Sequence, residues 1–351
     1  MTEENQTTHK RRVRYSGKYP KKFEEKYKEL QPEKYKDTIE HVIKKGNTPA
    51  GMHISIMVNE ILDFLKIQPG ETGFDATLGY GGHTKAMLQC LKGQGHIYAT
   101  DVDPEESART RKRLEEAGFG EDILTIRLQN FCTIDEIAKE AGGFDFILAD
   151  LGVSSMQIDN PKRGFSFKVD GPLDLRLNQE AGISAAERLA AITKDELAGM
   201  LYENSDEPYC EELAKAITDE IRKGNRIDTT TKLRNIIEKT LDFLPEKEKK
   251  DTIKKTCQRT FQALRIDVNR EFEVLYEFME KLPGALKPGG RAAILTFHSG
   301  EDKLVKKALK EGYRAGIYAD YAKDVIRPSA QECAQNGRAR STKMRWAIKA
   351  E

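Results

Sequence analysis

Cysteine is scarce in this chain and scattered. The 351 residues include five, Cys90, Cys132, Cys210, Cys257 and Cys333, and none forms a C-x-x-C pair. An odd, dispersed set argues against a disulfide framework and against a zinc site, and it suits a reducing compartment. No cluster of His, Cys or carboxylates has metal-ligand spacing either. Long apolar runs are also missing: nothing approaches the roughly twenty residues of a membrane span. The first residues are polar rather than leader-like, so a cytoplasmic protein is expected. Internal repeats and low-complexity tracts are absent. What remains is an ordinary composition with a net charge of only +1, long enough for one large domain or two smaller ones.

The most informative segment is Phe74-Asp75-Ala76-Thr77-Leu78-Gly79-Tyr80-Gly81-Gly82-His83. It reads as a buried strand (Gly73 to Ala76) that turns through a glycine loop into a helix from Thr84 to Leu91. A second strand, His96 to Thr100, ends at Asp101-Val102-Asp103. Glycines let a backbone approach a ligand, and the helix N-terminus offers free N–H groups. The acidic pair stands about twenty residues on, where a ribose sits in a βαβ nucleotide site. Asp101 is the better ribose candidate, because Asp103 before Pro104 reads as a helix cap. Thr84 occupies the third glycine position of a dinucleotide fingerprint, which weakens a nicotinamide reading. With Asp75 ahead of it, the segment resembles the S-adenosylmethionine loop of class I methyltransferases.

The surrounding pattern gives the architecture. Residues Val58 to Leu65 form a short helix, and strand and helix then alternate to the apolar strand Phe144 to Ala149. That alternation means a parallel sheet with helices on both faces, and ligands at the strands' carboxyl ends, where Asp75, Asp101 and Asp150 fall. The pattern changes after Gln157. Ser184 to Glu187 and Thr193 to Glu196 are capping boxes that open helices, and helices fit Glu207 to Lys223 and Thr230 to Leu244. The sheet pattern resumes at Arg291 to Phe297, followed by a helix from Glu301 to Leu309 and a last strand through Met344, Trp346 and Ile348. The expected fold is an α/β class I (Rossmann-like) sheet interrupted by an all-helical domain. Its divisions are a basic extension at 1–50, sheet domain at 51–156, helical insert at 157–256 and the rest of the sheet domain at 257–351.

Further motifs carry a resemblance to a family. They are Asp150-Leu151-Gly152-Val153-Ser154-Ser155-Met156-Gln157, Arg163-Gly164-Phe165-Ser166-Phe167, and Asp170 through Arg176. Phe261 through Ile266, Phe297-His298-Ser299 with Glu301-Asp302, Arg327-Pro328-Ser329 and Arg338-Ala339-Arg340-Ser341 follow in order. Together they resemble the bacterial 16S ribosomal RNA cytosine-N4 methyltransferases, the MraW-type family, from about His53 to Arg345. The resemblance implies S-adenosylmethionine as cofactor, a class I domain with a helical insert, and a cytosine amine in the decoding region of the small ribosomal subunit as target. It implies cofactor contacts at Gly81, Gly82, His83, Asp101, Phe131, Asp150 and Gln157, and Asp75 and Gly79 of the same loop are expected to bind the cofactor with them. Met156, Gly300 and Gly337 depart from the family pattern, as do the residues before His53 and the segment Ser205-Asp206-Glu207. These departures spare the cofactor contacts and touch loops that could meet RNA.

The chemistry narrows the catalytic set. A cytosine amine is a poor nucleophile because its lone pair is delocalised into the ring. It needs a proton acceptor and in-line placement, and placement is worth roughly 7–11 kcal/mol at best. Candidates are Asp150 and Ser154 at the fourth strand's end, with Asp174 and His298 on neighbouring loops. Ser154 reads equally as a cap for the following turn. Phe165, Phe167 and Arg163 could stack on an unstacked base, although the two phenylalanines alternate as core residues also do. Arg265 is a candidate RNA contact, as are Arg338 and Arg340, which form a basic cluster near the C-terminus with Lys343 and Arg345. The rival readings are a paralogue acting at another RNA site, a ribosome-assembly binding protein without turnover and, weakest, a nicotinamide dehydrogenase. Monomer and homodimer are both left open.

Residues Lys10 to Lys28 carry nine Lys or Arg, against Glu24 and Glu25, with Tyr15, Tyr19, Phe23 and Tyr27 interleaved. Cations beside aromatics suit a nucleic acid, the former meeting phosphates and the latter bases. Deleting residues 1–45 should therefore weaken RNA binding and flatten its salt dependence, by about 0.7 in log–log slope for each phosphate that the segment neutralises on a single strand. Cofactor affinity should not change. An unaltered slope with a lower melting temperature would show that the segment packs on the enzyme instead.

Overall fold

The computed structural model describes residues 55–351; the basic segment lies outside the described residues. Helix α1 (Val58–Leu65) precedes β1 (Thr72–Asp75), α2 (Gly82–Leu91), β2 (His96–Asp101), α3 (Pro104–Glu116), β3 (Leu124–Leu128), α4 (Ile134–Ala141) and β4 (Phe144–Asp150). A helical run follows: α5 (Ser155–Asp159), α6 (Ala185–Ala191), α7 (Lys194–Ser205), α8 (Cys210–Arg222), α9 (Thr230–Thr240), α10 (Glu246–Asn269) and α11 (Glu271–Ala285). The chain then returns to the sheet with β5 (Leu286–Thr296), α12 (Ser299–Arg314), β6 (Tyr318–Tyr321), α13 (Ala330–Gln335) and β7 (Lys343–Lys349).

The seven strands lie in the order β3-β2-β1-β4-β5-β7-β6. Pairing is parallel from β3 through β5, and β7 runs antiparallel to both β5 and β6. This is a class I, Rossmann-like methyltransferase sheet. The order reverses at β1, since β2 and β4 flank it, and that switch point opens a crevice at the strands' carboxyl ends. The sequence pattern finds β7 but not its antiparallel direction, because alternation along a strand says nothing of direction, and it does not find the four-residue β6.

Burial follows the pleat. Ile147 and Ala149 of β4 enter one apolar layer with Phe278 and Leu282 of α11, while Phe146 and Leu148 enter the other with Met87 and Leu88 of α2. Side chains this buried contribute about 1.5–3 kcal/mol each. Arg291 of β5 ties the second layer down: its guanidinium donates to the Leu65 carbonyl at the end of α1 and pairs with Glu71 at 2.8 Å. That carbonyl is one a helix end leaves without an internal partner.

The helical run builds a core of its own from Leu189, Leu197, Leu201, Leu213, Ile217, Leu233 and Phe261. Both expected capping boxes form, with the Ser184 and Thr193 hydroxyls accepting the Glu187 and Glu196 N–H groups at 3.3 Å. Helix α10 runs unbroken through residue 256 and carries Gln262, Arg265 and Asn269 from the helical core to the edge of the crevice. Its first half is so rich in Lys and Glu that apolar periodicity alone does not announce it.

Candidate functional site

The glycine loop between β1 and α2 is held from below. Asp75 is buried, and it accepts the Thr84 hydroxyl at 2.6 Å and the Thr77 N–H at 3.0 Å. Burial pushes its pKa up, with these bonds working against that rise. The carboxylate is thus a staple under the loop and does not line the crevice. Gly79 and Gly81 adopt φ of +47° and +81°, and a Cβ on Gly82 would sit 2.0 Å from the Ser55 hydroxyl. No side chain caps α2, so its first N–H groups remain available to an anion.

A cleft of about 360 Å³ opens above this loop. Gly79, Gly81, Gly82, His83, Asp101, Phe131, Asp150 and Gln157 all line it, so the structure brings the sequence-expected cofactor residues together, Asp75 excepted. Asp101 accepts the Gly79 N–H at 2.8 Å and the Asp103 N–H at 2.9 Å. Burial pushes its pKa up to about 6. Phe131 meets Phe278 edge-on at 5.2 Å, which fixes the orientation of its ring. Gln157 is buried and fully engaged: its amide accepts the Ser154 N–H at 2.9 Å and donates to Asp103 at 2.9 Å. Asp103 is the N-cap of α3, as its position before Pro104 suggests.

Asp150 ends β4. Its N–H donates to the Thr77 hydroxyl at 2.7 Å, and one carboxylate oxygen stands 3.4 Å from His83 Nδ1. The other oxygen is buried without a partner. Burial is the main reason its pKa rises to about 6; His83 opposes the rise, while Asp75 and Glu301 add to it. His83 is oriented by its other nitrogen, 2.8 Å from the Ile56 carbonyl. Across the cleft, His298 caps α12 and lies 3.2 Å from Glu301, beside the bidentate pair Arg265–Glu271. Glu271, His298 and Glu301 place ligand atoms within 4.8 Å of one another, a grouping that sequence spacing cannot reveal. Thr77, Thr84, Gln262, Glu271 and Glu301 are site residues that sequence reasoning misses. Thr77, Gln262 and Glu301 sit inside the sequence motifs, a signal that could have found them; nothing local marks Glu271.

Several candidates fall elsewhere. Arg163 is buried, its guanidinium 2.7 Å from Asp103 and donating to the Leu177 carbonyl at 2.9 Å, so it is not a base-stacking surface. Phe165 belongs to the helical core and Phe167 packs edge-on against Phe261 at 5.8 Å. Asp174 does not line the cleft; burial works to raise its pKa, but bidentate bonds from Arg176 at 2.8 Å bring it below the usual range. Ser154 does line the cleft, as the N-cap of α5 whose hydroxyl accepts the Gln157 N–H. Arg345 is buried on Asp302, which also holds Lys343 at 2.9 Å, so half of the expected basic cluster is internal. Arg265, spent on Glu271, faces the cleft rather than an outer surface. Arg338 pairs with Asp159 at the cleft rim and Arg340 is exposed.

Removing Arg163 would strand a buried carboxylate, a change worth about 3–5 kcal/mol. Arg163→Ala should therefore lower the melting temperature sharply, whereas exposed Arg340→Ala should stay within about 0.5 kcal/mol of the native protein. A normal melt for Arg163→Ala, with selectively weakened RNA binding, would return that residue to the RNA surface.

Among the described residues no helix is long and apolar enough to cross a membrane. The family model for the MraW methylase family matches residues 50–350. The chain is 87% identical to "Ribosomal RNA small subunit methyltransferase H 1" of Agathobacter rectalis over 351 residues, all of both chains. It is 70% identical to the protein of that name from Lachnoclostridium phytofermentans, over 99% of this chain and 95% of the relative. "Ribosomal RNA small subunit methyltransferase H" of Koribacter versatilis is 36% identical over 302 residues, 85% of this chain and 94% of the relative. The cofactor is S-adenosyl-L-methionine, the methyl donor expected from the glycine loop and strand-end acids. From motif order, sheet topology and these matches, the chain belongs to the MraW methylase family.

Proposed function

We propose that the chain methylates the exocyclic N4 amine of a cytosine in the decoding region of 16S ribosomal RNA. The relatives' names supply ribosomal RNA of the small subunit as the substrate class. The observation that carries the chemistry is Asp150: a carboxylate at the end of β4, in the cleft, with one oxygen buried and unpartnered.

The cofactor fits the residues present. The uncapped N–H groups of Gly82 and His83 suit its methionine carboxylate, Asp101 its ribose hydroxyls, and the exposed face of Phe131 its adenine. When bound it supplies an electrophilic methyl group. The chain's own residues supply the rest. Asp150 accepts a proton from the amine nitrogen as the new N–C bond forms, which restores a neutral amine. His83 holds the second oxygen of Asp150 and keeps the carboxylate turned toward the cleft. Thr77 fixes the strand end from which it projects. Gln157, Asp103 and Arg163 brace the loop that follows, so the acceptor does not drift. Helix α10 brings Gln262, Arg265 and Asn269 to the cleft from the helical core.

A general base of this kind is worth about 10²–10⁴-fold. The pKa of Asp150 is raised, so its active, ionised form is lost as pH falls through about 6. The turnover number on small ribosomal subunits should rise with pH through about 6 and then level off. Asp150→Asn should lower the plateau at least about a hundredfold and abolish that limb, with cofactor and RNA still bound. A native pH profile in Asp150→Asn would remove the residue from the reaction. Equal losses in RNA affinity and rate would make it structural.

A further inference from the structure

Three polar atoms of the cleft residues lack hydrogen-bond partners: Glu106 Oε2, Asp150 Oδ1 at the end of β4, and His298 Nε2 just past the end of β5, and the last two stand at the ends of adjacent strands. Asp150 pairs in register with Leu295 on the adjacent strand. His298 follows three residues later, about 10 Å along at 3.3 Å per residue. Both side chains line the same cleft, which places them to converge on one edge of a planar base.

The two atoms differ in hydrogen-bonding character. An ionised Asp150 only accepts. At His298, Nδ1 accepts the Glu301 N–H at 3.5 Å, and that contact assigns the ring proton to Nε2, making it a donor. Burial without a partner is costly for either kind of group, so the pair is matched by a ligand offering a donor and an acceptor side by side on one edge.

Glu301 makes the histidine's placement definite. It is 3% exposed; one oxygen accepts the Phe297 N–H at 2.8 Å, and the other stands 3.2 Å from Nε2 without the alignment of a hydrogen bond. Burial works to raise its pKa, but His298, the Phe297 N–H and Arg265 hold it below the usual carboxylate range. The Phe272 ring packs against the imidazole at 5.7 Å. Glu271 is already taken by Arg265 in two bonds of 2.7 and 2.8 Å.

We propose that His298 is a specificity residue that donates Nε2–H to N3 of the target cytosine while Asp150 accepts from its N4 amine, with Glu301 as the positioning residue that fixes the imidazole. The inference rests on the cytosine-N4 reading above. Uracil inverts both groups, turning its O4 acceptor toward Asp150 and its N3–H toward Nε2–H. Two buried mismatches then oppose it, which is how a site built to hydrogen-bond one ligand rejects its analogue.

The test is a cycle between enzyme and substrate. The full-length chain is assayed on small subunits reconstituted with 16S RNA ligated to carry either cytidine or 3-deazacytidine, which lacks the N3 acceptor, at the mapped target. The loss in kcat/KM caused by 3-deazacytidine should be at least tenfold larger for the native enzyme than for His298→Ala. Glu301→Gln, checked by thermal melt to be folded, should shrink the same difference at least threefold. Equal losses in native enzyme and His298→Ala would overturn the proposal. A Glu301→Gln difference equal to the native one would remove Glu301 from it. Mass identification of the native product is read separately: any nucleoside other than N4-methylcytidine defeats the parent reading, whereas N4-methylcytidine with equal losses defeats only this one.

Discussion

Three aspartates end the parallel strands β1, β2 and β4, and each carries its carboxylate into a region that strips it of water. What differs is how each is compensated. Asp75 is satisfied by a hydroxyl and a backbone N–H beneath the loop. Asp101 takes two backbone N–H groups and still borders the cleft. Asp150 has a distant histidine on one oxygen and nothing on the other. Ionising a carboxyl whose pKa has moved from 3.8 to about 6 opposes folding by roughly 3 kcal/mol. The rest of the fold has to carry that cost.

The arrangement explains why so much of the molecule is devoted to bracing. The Thr84–Asp75 bond and the crowding at Gly82 leave the glycine loop one conformation. Asp103 gathers the N-terminus of α3, Gln157 and Arg163 into one buried knot, which ties β2 to the loop after β4. The helical insert contributes through α10, whose far end supplies Gln262, Arg265 and Asn269 to the cleft. Preorganised polar groups of this sort keep their effect because they need not move when charge develops.

The sequence made the scaffold legible where local physics decides it. Apolar runs alternating with helices located β1, β2 and β4, the capping boxes located α6 and α7, and the glycine loop with its strand-end acids located the cleft. It failed where the deciding contact is distant. Arg163 next to two phenylalanines reads as part of a stacking patch, and only Asp103, sixty residues earlier, shows it to be a buried anchor. Arg345 reads as part of a basic surface until Asp302 is seen to lie under it. Asp174 looks like a free acid only because the bidentate fit of Arg176 depends on a loop conformation no pattern specifies. Glu271 and Glu301 meet only once α11 and α12 are folded against β5.

The central claim is that burial at the strand ends holds Asp101 and Asp150 near a pKa of 6 while both face one cleft. Carboxyl carbon titration by NMR, with ¹³C-labelled aspartate in the cofactor-free protein, measures this directly. The account predicts two resonances titrating near pH 6, one lost in Asp101→Asn and the other in Asp150→Asn. Two aspartates titrating near the ordinary 3.9 of an exposed carboxyl would contradict it.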